Sequence, residues 1–238
     1  MPCFFPPTGS EVVRLFLEDA LPVSSGLVGR WEGGSWDNDT RKWIDITGLS
    51  GDAYAIRDGS GIRELRNFLN GYSVMSGDVG DALRIPSKRI VNNYNFTLFH
   101  LSRYNDSASG DGLTGSCGRI MTTGPSNWLS GFWGCRQGLA WHSTGFIRDD
   151  DWLNSTSTAG GFRWTISTDQ AMTYRAHGVA RGTAPPYSSA PVHELAINVG
   201  WKDLEYTKWL VAEVLAYDKK LSLSEIIMME EWLACKYN

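Results

Sequence analysis

Short runs of apolar and aromatic residues, separated by Gly, Asn, Asp and Ser, follow one another from Gly26 almost to the C-terminus. Runs of this length with turn residues between them are typical of the strands of a sandwich or barrel. About a dozen strands fit two stacked sheets better than one flat sheet, so we expect an all-β, antiparallel two-sheet sandwich. The predicted strands are Gly26–Glu32, Trp43–Ile46, Ala53–Ile56, Ala82–Ile85, Phe96–Arg103, Gly118–Thr122, Trp128–Trp133, Gly138–Trp141, Phe162–Ser167, Met172–Ala176, Glu194–Ile197 and Lys208–Tyr217.

The predicted strand that begins at Phe96 carries large apolar residues on both of its faces. Alternation places Phe96, Leu98 and His100 on one face and Phe99 and Leu101 on the other. A strand with one face in water has apolar residues only on its other face. A strand covered on both faces has apolar residues on both. The pattern therefore predicts a central strand.

The C-terminal segment from Ser222 to Tyr237 differs from the rest, because its apolar residues recur at helical spacing. Ser222 or Ser224 is suited to cap the first turn. A helix with one apolar face packs that face against the domain and keeps its polar face wet. We therefore expect a short C-terminal α-helix on the sandwich, with its charged residues in water: Glu230, Glu231 and Lys236.

The domain organisation predicted from the sequence is simple. Residues 1–25 are predicted to form an N-terminal extension or linker, in which the run before Pro22 suits a short helix or an edge strand equally. No repeat and no low-complexity linker divides residues 26–238. We expect these residues to form one β-sandwich domain.

Composition and charge narrow the classes of partner. The chain has 11 Trp, 9 Tyr and 9 Phe, enough for a substantial core, and a formal net charge of −4. Phosphate backbones are bound by clustered Lys and Arg, so nucleic acid is not an expected partner. No apolar run is long enough to span a bilayer, and the first residues lack the basic and apolar regions of a signal peptide. We therefore expect no transmembrane segment, and a signal peptide that is absent or already removed.

The four cysteines, Cys3, Cys117, Cys135 and Cys235, form no C-x-x-C pair, so no zinc site is expected. Cys117 and Cys135 flank a Gly- and Trp-rich stretch whose halves could pair as neighbouring strands, which would bring the two sulfurs within disulfide range. A disulfide and two buried thiols remain open as alternatives.

Four N-x-S/T sequons lie in or beside predicted turns and strand edges, and they are glycosylation candidates: Asn38, Asn95, Asn105 and Asn154. Together with the disulfide candidate they favour an oxidising, extracellular route. The missing signal peptide favours the opposite, so the two observations conflict.

Three parts of the chain carry a family resemblance: Gly26–Trp31 with Trp36–Asn38 and Trp43–Ala53, then Arg119–His142, then Val211–Ser222. They resemble the concanavalin A-like superfamily of lectins and glucanases, and within it the laminin-G-like jelly-roll domains. The first part is similar to that family's opening strands and W-x-D-x-S/T-G turn, and the second resembles an aromatic hairpin of one branch. The third, a last strand that leads into the tail helix, is the most specific match. The resemblance implies a jelly-roll fold, and this architecture serves lectins, glycosidases, adhesion modules and capsid proteins alike.

Catalytic and metal-binding patterns are largely missing from the sequence. The E-x-D-x-E strand that the resemblance would require of a laminarinase-like glycosidase is absent, and His100, His142, His177 and His193 have no local nucleophile partner. We therefore expect no catalytic residue, no cofactor and no dedicated metal site. Calcium is conceivable only at two acidic loops, and both are better explained as solvated turns: Asp37–Asp39 and Asp149–Asp151, the second beside Trp152.

One stretch combines flat aromatic faces with hydrogen-bonding side chains, which is the combination that binds sugar rings. The alternative is that its tryptophans pack within the hairpin and core, as aromatic residues of half-buried strands often do. The exposure of the tryptophan side chains separates the two interpretations. The expected surface group among the histidines is His142. The carbohydrate-binding candidates are Trp128, Trp133, Trp141, His142, Arg119, Asn127 and Arg136.

Three hypotheses for function follow from these patterns. The preferred one is a non-enzymatic structural or recognition domain on a cell or virion surface, which contacts glycans or assembles with other protein subunits into an oligomer, filament or capsid. The second is a lectin that uses the aromatic hairpin. The third is a glycoside hydrolase whose carboxylates come from distant strands, for example Glu194 and Glu213.

Overall fold

The computed structural model describes residues 20–57, 59–86, 95–105, 117–123, 127–142, 146–147, 153–154, 162–170, 172–183, 195–200 and 204–238. Within these residues the chain forms two antiparallel β-sheets and one C-terminal α-helix. The predicted all-β, two-sheet sandwich with a short terminal helix is therefore confirmed. The described helix is neither long nor apolar enough to cross a membrane.

Sheet 1 has eight strands in the described residues, in the order β16-β15-β14-β8-β18-β6-β5, and β1 also pairs with β18. Strand β18 is central: its first residues pair with β6 and its last with β1, while β8 runs along its other side. The strands are β1 (Leu27–Glu32), β5 (Arg63–Leu69), β6 (Tyr72–Gly77), β8 (Thr97–Tyr104), β14 (Thr165–Gln170), β15 (Thr173–Ala176), β16 (Val179–Thr183) and β18 (Trp209–Tyr217).

Sheet 2 has ten strands in the same part of the chain, in the order β12-β11-β10-β9-β17-β7-β4-β3-β2, and β13 also pairs with β11. A single 3-10 turn, Gly33–Ser35, links β1 to this sheet. The strands are β2 (Trp36–Asp37), β3 (Lys42–Trp43), β4 (Ala53–Ala55), β7 (Leu83–Ile85), β9 (Met121–Thr123), β10 (Trp128–Trp133), β11 (Arg136–His142), β12 (Phe146–Ile147), β13 (Leu153–Asn154) and β17 (Leu195–Ile197).

The main core lies between the two sheets, where Trp31, Trp43 and Trp209 are fully buried. Strand β8 has the predicted two covered faces: Leu98 joins this core, and Phe99 joins a second cluster on the opposite side of sheet 1. Burial of such aromatic and aliphatic side chains supplies most of the favourable free energy of folding.

Helix α1 (Leu223–Tyr237) covers the outer face of sheet 1. Ser222 caps it through the backbone N–H of Glu225, and the Glu225 carboxylate accepts from the Ser222 N–H in return, which completes a capping box. The predicted apolar face of the helix packs on the sheet through Ile226, Met229 and Leu233. The helix and its cap are therefore confirmed.

The prediction that the charged residues of α1 face water is confirmed for Glu231, which is exposed. It is wrong for Glu230 and Lys236, which are 5% and 3% exposed. Glu230 accepts two hydrogen bonds from Arg175, each 3.0 Å, and one from Thr168. These side chains are buried because strands of sheet 1 supply opposite charges and donors that a helical pattern alone does not reveal.

A cluster of balanced charge joins α1 to sheet 1. The fully buried Glu213 carboxylate accepts from Arg30 Nε at 2.7 Å, from Lys236 Nζ at 2.9 Å and from the Tyr237 hydroxyl at 2.8 Å. Glu32 accepts from Lys236 at 2.9 Å and also from Arg30. Burial lowers the pKa of Arg30, but the charges of Glu213 and Glu32 outweigh this and raise it. The cluster thus carries two positive and two negative groups.

The Trp43–Gly48 segment owes its shape to one buried carboxylate. Asp45 is 3% exposed and accepts from the backbone N–H groups of Arg30, Thr47, Ser50 and Gly51. Burial raises the pKa of Asp45, but these hydrogen bonds outweigh it and hold that pKa below its ordinary value. The aspartate of the W-x-D-x-S/T-G turn is therefore a structural residue.

Most predicted strands match observed ones to within a few residues, but the β5–β6 hairpin, strand β16 and the two-residue strands β2, β12 and β13 have no predicted counterpart. Strand β5 has charged residues on both faces and an irregular register, so it shows no alternation. Residues 1–19 lie outside the described residues, and Val23, within the predicted extension, packs in the cluster under α1.

Candidate functional site

Residues from distant parts of the chain meet at one end of sheet 2, where the β10–β11 hairpin turns. Trp133 and Arg136 lie directly opposite each other on the two strands. Phe132 points inward, against Tyr104, so alternation places Trp133 on the outer face. Both Trp133 and Arg136 are partly exposed. We call this surface the Trp133 end; its residues are Arg57, Arg119, Trp133, Arg136, Glu205 and Tyr206.

The tip of the hairpin is fixed to the neighbouring segment by a covalent bond. A disulfide joins Cys117 and Cys135, so of the two alternatives the structure has the bonded one. The Cys117 carbonyl also accepts from the N–H groups of Gly134 at 2.9 Å and Cys135 at 3.3 Å. The Tyr104 hydroxyl donates to the carbonyls of Cys117 and Gly118. The Trp133 end is therefore built on a rigid base.

Glu205 holds two of the predicted site residues together. Its carboxylate accepts from Trp133 Nε1 at 3.0 Å and forms an ion pair with Arg119. Burial lowers the pKa of Arg119 and outweighs the opposing charge and hydrogen bond of Glu205. Arg119, 4% exposed, therefore orients the Trp133 ring through Glu205 and does not itself face solvent.

Tyr206, the next residue, contacts a second arginine. The Arg57 guanidinium lies 3.8 Å from the centre of the Tyr206 ring, and its Nη2 donates to the Asn198 carbonyl at 3.0 Å. Asn198 is a hub for the surrounding loops, because its Nδ2 donates to the carbonyls of Asp78, Val79 and Asp81. Arg57 and Trp133 are therefore each held by contacts to neighbouring loops.

The other predicted hairpin residues lie at the opposite end of the strands. Trp128 and His142 pair across the hairpin and point into the sandwich, 3% and 2% exposed, with their rings stacked 5.9 Å apart. His142 Nε2 lies 3.1 Å from the Asp169 carboxylate. The expectation that His142 is a surface group is wrong, because Asp169 on sheet 1 gives it a buried partner. Trp128 is a core residue and not a sugar platform.

Asn127 and Trp141 are partly exposed but stand apart from the Trp133 end. Trp141 pairs with Leu129, which lies four residues before Trp133 on β10. The structure therefore divides the predicted set: it brings Trp133, Arg119 and Arg136 together and separates Trp128, Trp141, His142 and Asn127 from them.

His100 forms a polar link between the two sheets. Its Nδ1 lies 2.8 Å from Ser102 Oγ, and its Nε2 lies 3.1 Å from Ser130 Oγ. Burial lowers the pKa of His100 to about 3, so the ring is neutral at physiological pH. Because the ring is fully buried, this Ser-His pair packs the sandwich and offers no nucleophile to a substrate.

The acidic groups proposed for catalysis or calcium have internal partners where they are described. Both Glu213 oxygens are bound beneath α1, and Glu194 lies outside the described residues. Asp37 accepts from Asp39 and Thr40, with the Thr40 hydroxyl contributing most to its lowered pKa. The described residues hold no group of three or more His, Cys, Asp or Glu that suits a metal. Residues 149–152 lie outside them.

The glycosylation candidates differ in accessibility. Asn38 and Asn95 are exposed, and Asn105 is partly buried. Asn38 borders an open depression of about 590 Å³ that Trp36 also lines, and its Oδ1 accepts from Trp36 Nε1. Asn154 lies on strand β13, which pairs with β11, but its side chain lies outside the described structure.

Sequence reasoning missed Arg57, Asn198, Glu205 and Tyr206. They come from loops far from the hairpin in sequence, and no local pattern marks them. Glu205 has a backbone φ of 66°, which non-glycine residues seldom adopt and which often accompanies functional sites. That conformation is visible only in the structure.

Comparison with known proteins supports the fold. No protein-family model and no curated protein sequence matches the chain. A sialidase of Trypanosoma rangeli, solved with sialic acid, is similar at 16% identity and a TM-score of 0.55, covering 91% of this chain and 34% of the sialidase. This chain therefore spans about a third of the sialidase's length.

Two further solved structures are similar. Domain 4 of AbnA, a GH43 extracellular arabinanase of Geobacillus stearothermophilus solved with arabinotriose, has 15% identity and a TM-score of 0.55, covering 86% of this chain and 98% of that domain. The binding domain of Botulinum Neurotoxin DC in complex with SialylT has 12% identity and a TM-score of 0.56, with 88% and 52% covered. At these identities the likeness shows a shared β-sandwich fold alone.

Proposed function

We propose that this chain is a non-enzymatic recognition domain that contacts glycans through the Trp133 end. The observation that carries the proposal is the partly exposed Trp133, whose indole N–H is held by Glu205 on a hairpin anchored by the Cys117–Cys135 disulfide. A fixed aromatic face stacks on the C–H face of a sugar ring, and neighbouring polar groups bond its hydroxyls. A surface ordered before binding loses little entropy on binding.

The similar structures support a glycan ligand without identifying it. The arabinanase domain was solved with arabinotriose, the neurotoxin domain with SialylT and the sialidase with sialic acid. We further propose a concanavalin A-like, laminin-G-like origin for the sandwich and an extracellular setting, which the disulfide supports. Assembly with other subunits on a cell or virion surface stays a prediction.

A hydrolase is the less favoured alternative. Hydrolysis of a glycosidic bond needs two carboxyl groups facing one cleft. Glu213, the described member of the pair considered from the sequence, is buried in ion pairs with Arg30 and Lys236. Its charge is therefore committed to holding α1, and we propose a binding role.

Trp133→Ala is expected to weaken glycan binding by about 2 kcal/mol, or roughly thirtyfold in Kd, because it removes the stacking face while leaving the core intact. The measurement is a glycan array followed by calorimetric titration of the best sugar. Trp164→Ala is the matched control, because Trp164 is also partly exposed but packs beside the cluster under α1.

The control variant should bind like the wild type. Near-UV circular dichroism verifies that both variants are folded. Equal binding by wild type and Trp133→Ala would remove the Trp133 end from glycan recognition.

A further inference from the structure

Arg57 is held in place, and its charge has no ionic partner among the described residues. Its guanidinium stacks on Tyr206 at 3.8 Å, and one nitrogen is tied to the Asn198 carbonyl at 3.0 Å. No carboxylate among the residues that the structure describes forms an ion pair with it. A stacked guanidinium has lost most of its side-chain freedom while keeping donors for another group.

Three acidic residues near Arg57 that the structure describes have other partners. Glu205 is paired with Arg119 and bonded to Trp133. Asp81 accepts from the backbone N–H groups of Gly61 and Asp78. Asp78 pairs with Lys208 at 3.5 Å. The positive charge of Arg57 is therefore not matched by these neighbours, and its Nε and Nη1 donors have no acceptor in the described part of the chain.

Arg57 and Trp133 lie at the same end of sheet 2, where Glu205 bonds Trp133 and the next residue, Tyr206, lies against Arg57. A sugar ring stacked on Trp133 could thus carry a substituent toward Arg57. The arginine fork matches the two oxygens of an oxyanion in a way that a neutral hydroxyl does not.

We propose that the Trp133 end binds an acidic glycan, and that Arg57 binds its anionic group. This inference rests on the proposed function and adds the class of ligand. The shared chemistry is an oxyanion on a sugar, either a carboxylate or a sulfate. Arg57 acts as the selecting residue, while Trp133 binds neutral and acidic sugars alike.

The test compares three trisaccharides of matched length by calorimetry: galactotriose, trigalacturonate and galactotriose sulfated at the 6-positions. The wild type should bind one or both acidic sugars at least about tenfold more tightly than galactotriose, as a charge-assisted hydrogen bond is expected to give. Arg57→Gln should lose that preference, and Arg57→Lys should keep only part of it, because lysine retains the charge without the fork. The control Arg63→Gln, an exposed arginine on sheet 1, should leave the preference unchanged.

The two acidic sugars separate carboxylate from sulfate as the source of the oxyanion. Equal binding of all three sugars by the wild type, with loss of galactotriose binding in Trp133→Ala, would overturn the role of Arg57 and leave the proposed function standing. Retention of the acidic preference in a folded Arg57→Gln variant would also overturn it. Binding of none of the three sugars would overturn the acidic-glycan proposal, whereas the proposed function is decided separately by the glycan array.

Discussion

Glu213→Gln is expected to lower the free energy of unfolding by about 3–5 kcal/mol, because it leaves the two buried cations, Arg30 and Lys236, with one carboxylate, Glu32, in place of two. The substitution removes the negative charge between Arg30 and Lys236, and it weakens the hydrogen bond from the Tyr237 hydroxyl. The side chain has no exposed surface, so water cannot compensate. Urea denaturation at neutral pH, followed by tryptophan fluorescence, measures the loss.

The matched control is Glu231→Gln, the same chemical change at an exposed position of helix α1. It should alter stability by no more than about 0.5 kcal/mol. A Glu213→Gln variant as stable as the control would contradict the conclusion that this ion cluster fastens α1 to sheet 1.

The double variant Cys117→Ala/Cys135→Ala is expected to lose about 3 kcal/mol of stability, since the disulfide closes a loop of 18 residues. Substitution is a cleaner test than reduction, because Cys235 is also disulfide-bonded and a reducing agent would act on it as well. Glycan affinity should fall too, because the hairpin tip that carries Trp133 loses its covalent anchor. Denaturation and titration of the same variant measure both effects.

Unchanged stability in this double variant, together with two free thiols in the native protein, would show that the bond does not form. Unchanged affinity with reduced stability would show that the backbone bonds to the Cys117 carbonyl are sufficient to hold Trp133 in place.

The sequence predicts the sandwich well because its core strands follow local rules. Strand β10, Trp128–Trp133, has the predicted bounds, and Ser222 caps α1 as its pattern indicates. The β5–β6 hairpin also had a local signal, the Asn70-Gly71 pair, whose positive φ angles of 47° and 85° suit a two-residue turn. Because β5 has charged residues on both faces, its sequence does not alternate, and the Asn70-Gly71 turn is the signal that indicates the hairpin.

Buried polar residues are harder to predict, because their partners come from other strands. Lys236 and Glu230 occupy polar positions of α1 and are covered all the same, since Glu213 and Arg175 of sheet 1 pair with them. His142 is buried for the same reason, with Asp169 beside it. Sequence periodicity predicts which residues of an element share a face, but it does not predict which residues of other elements contact that face.

The candidate site could be predicted only in part. The hairpin sequence supplies Trp133 and Arg136, which alternate away from the core. Glu205, Tyr206 and Arg57, the other residues of the Trp133 end, come from segments that meet only after the strands are paired. Function is often carried by such loops on a rigid scaffold, and single-chain patterns do not show which loops meet.

The most direct test of glycan contact at the Trp133 end is nuclear magnetic resonance of the tryptophan indole N–H groups during titration with trigalacturonate. Trp133→Phe assigns the Trp133 signal, and the buried Trp128 and Trp209 serve as internal references. We expect the Trp133 signal to shift in proportion to occupancy while the reference signals stay fixed. A Trp133 signal that does not move while the protein binds the sugar would contradict the account.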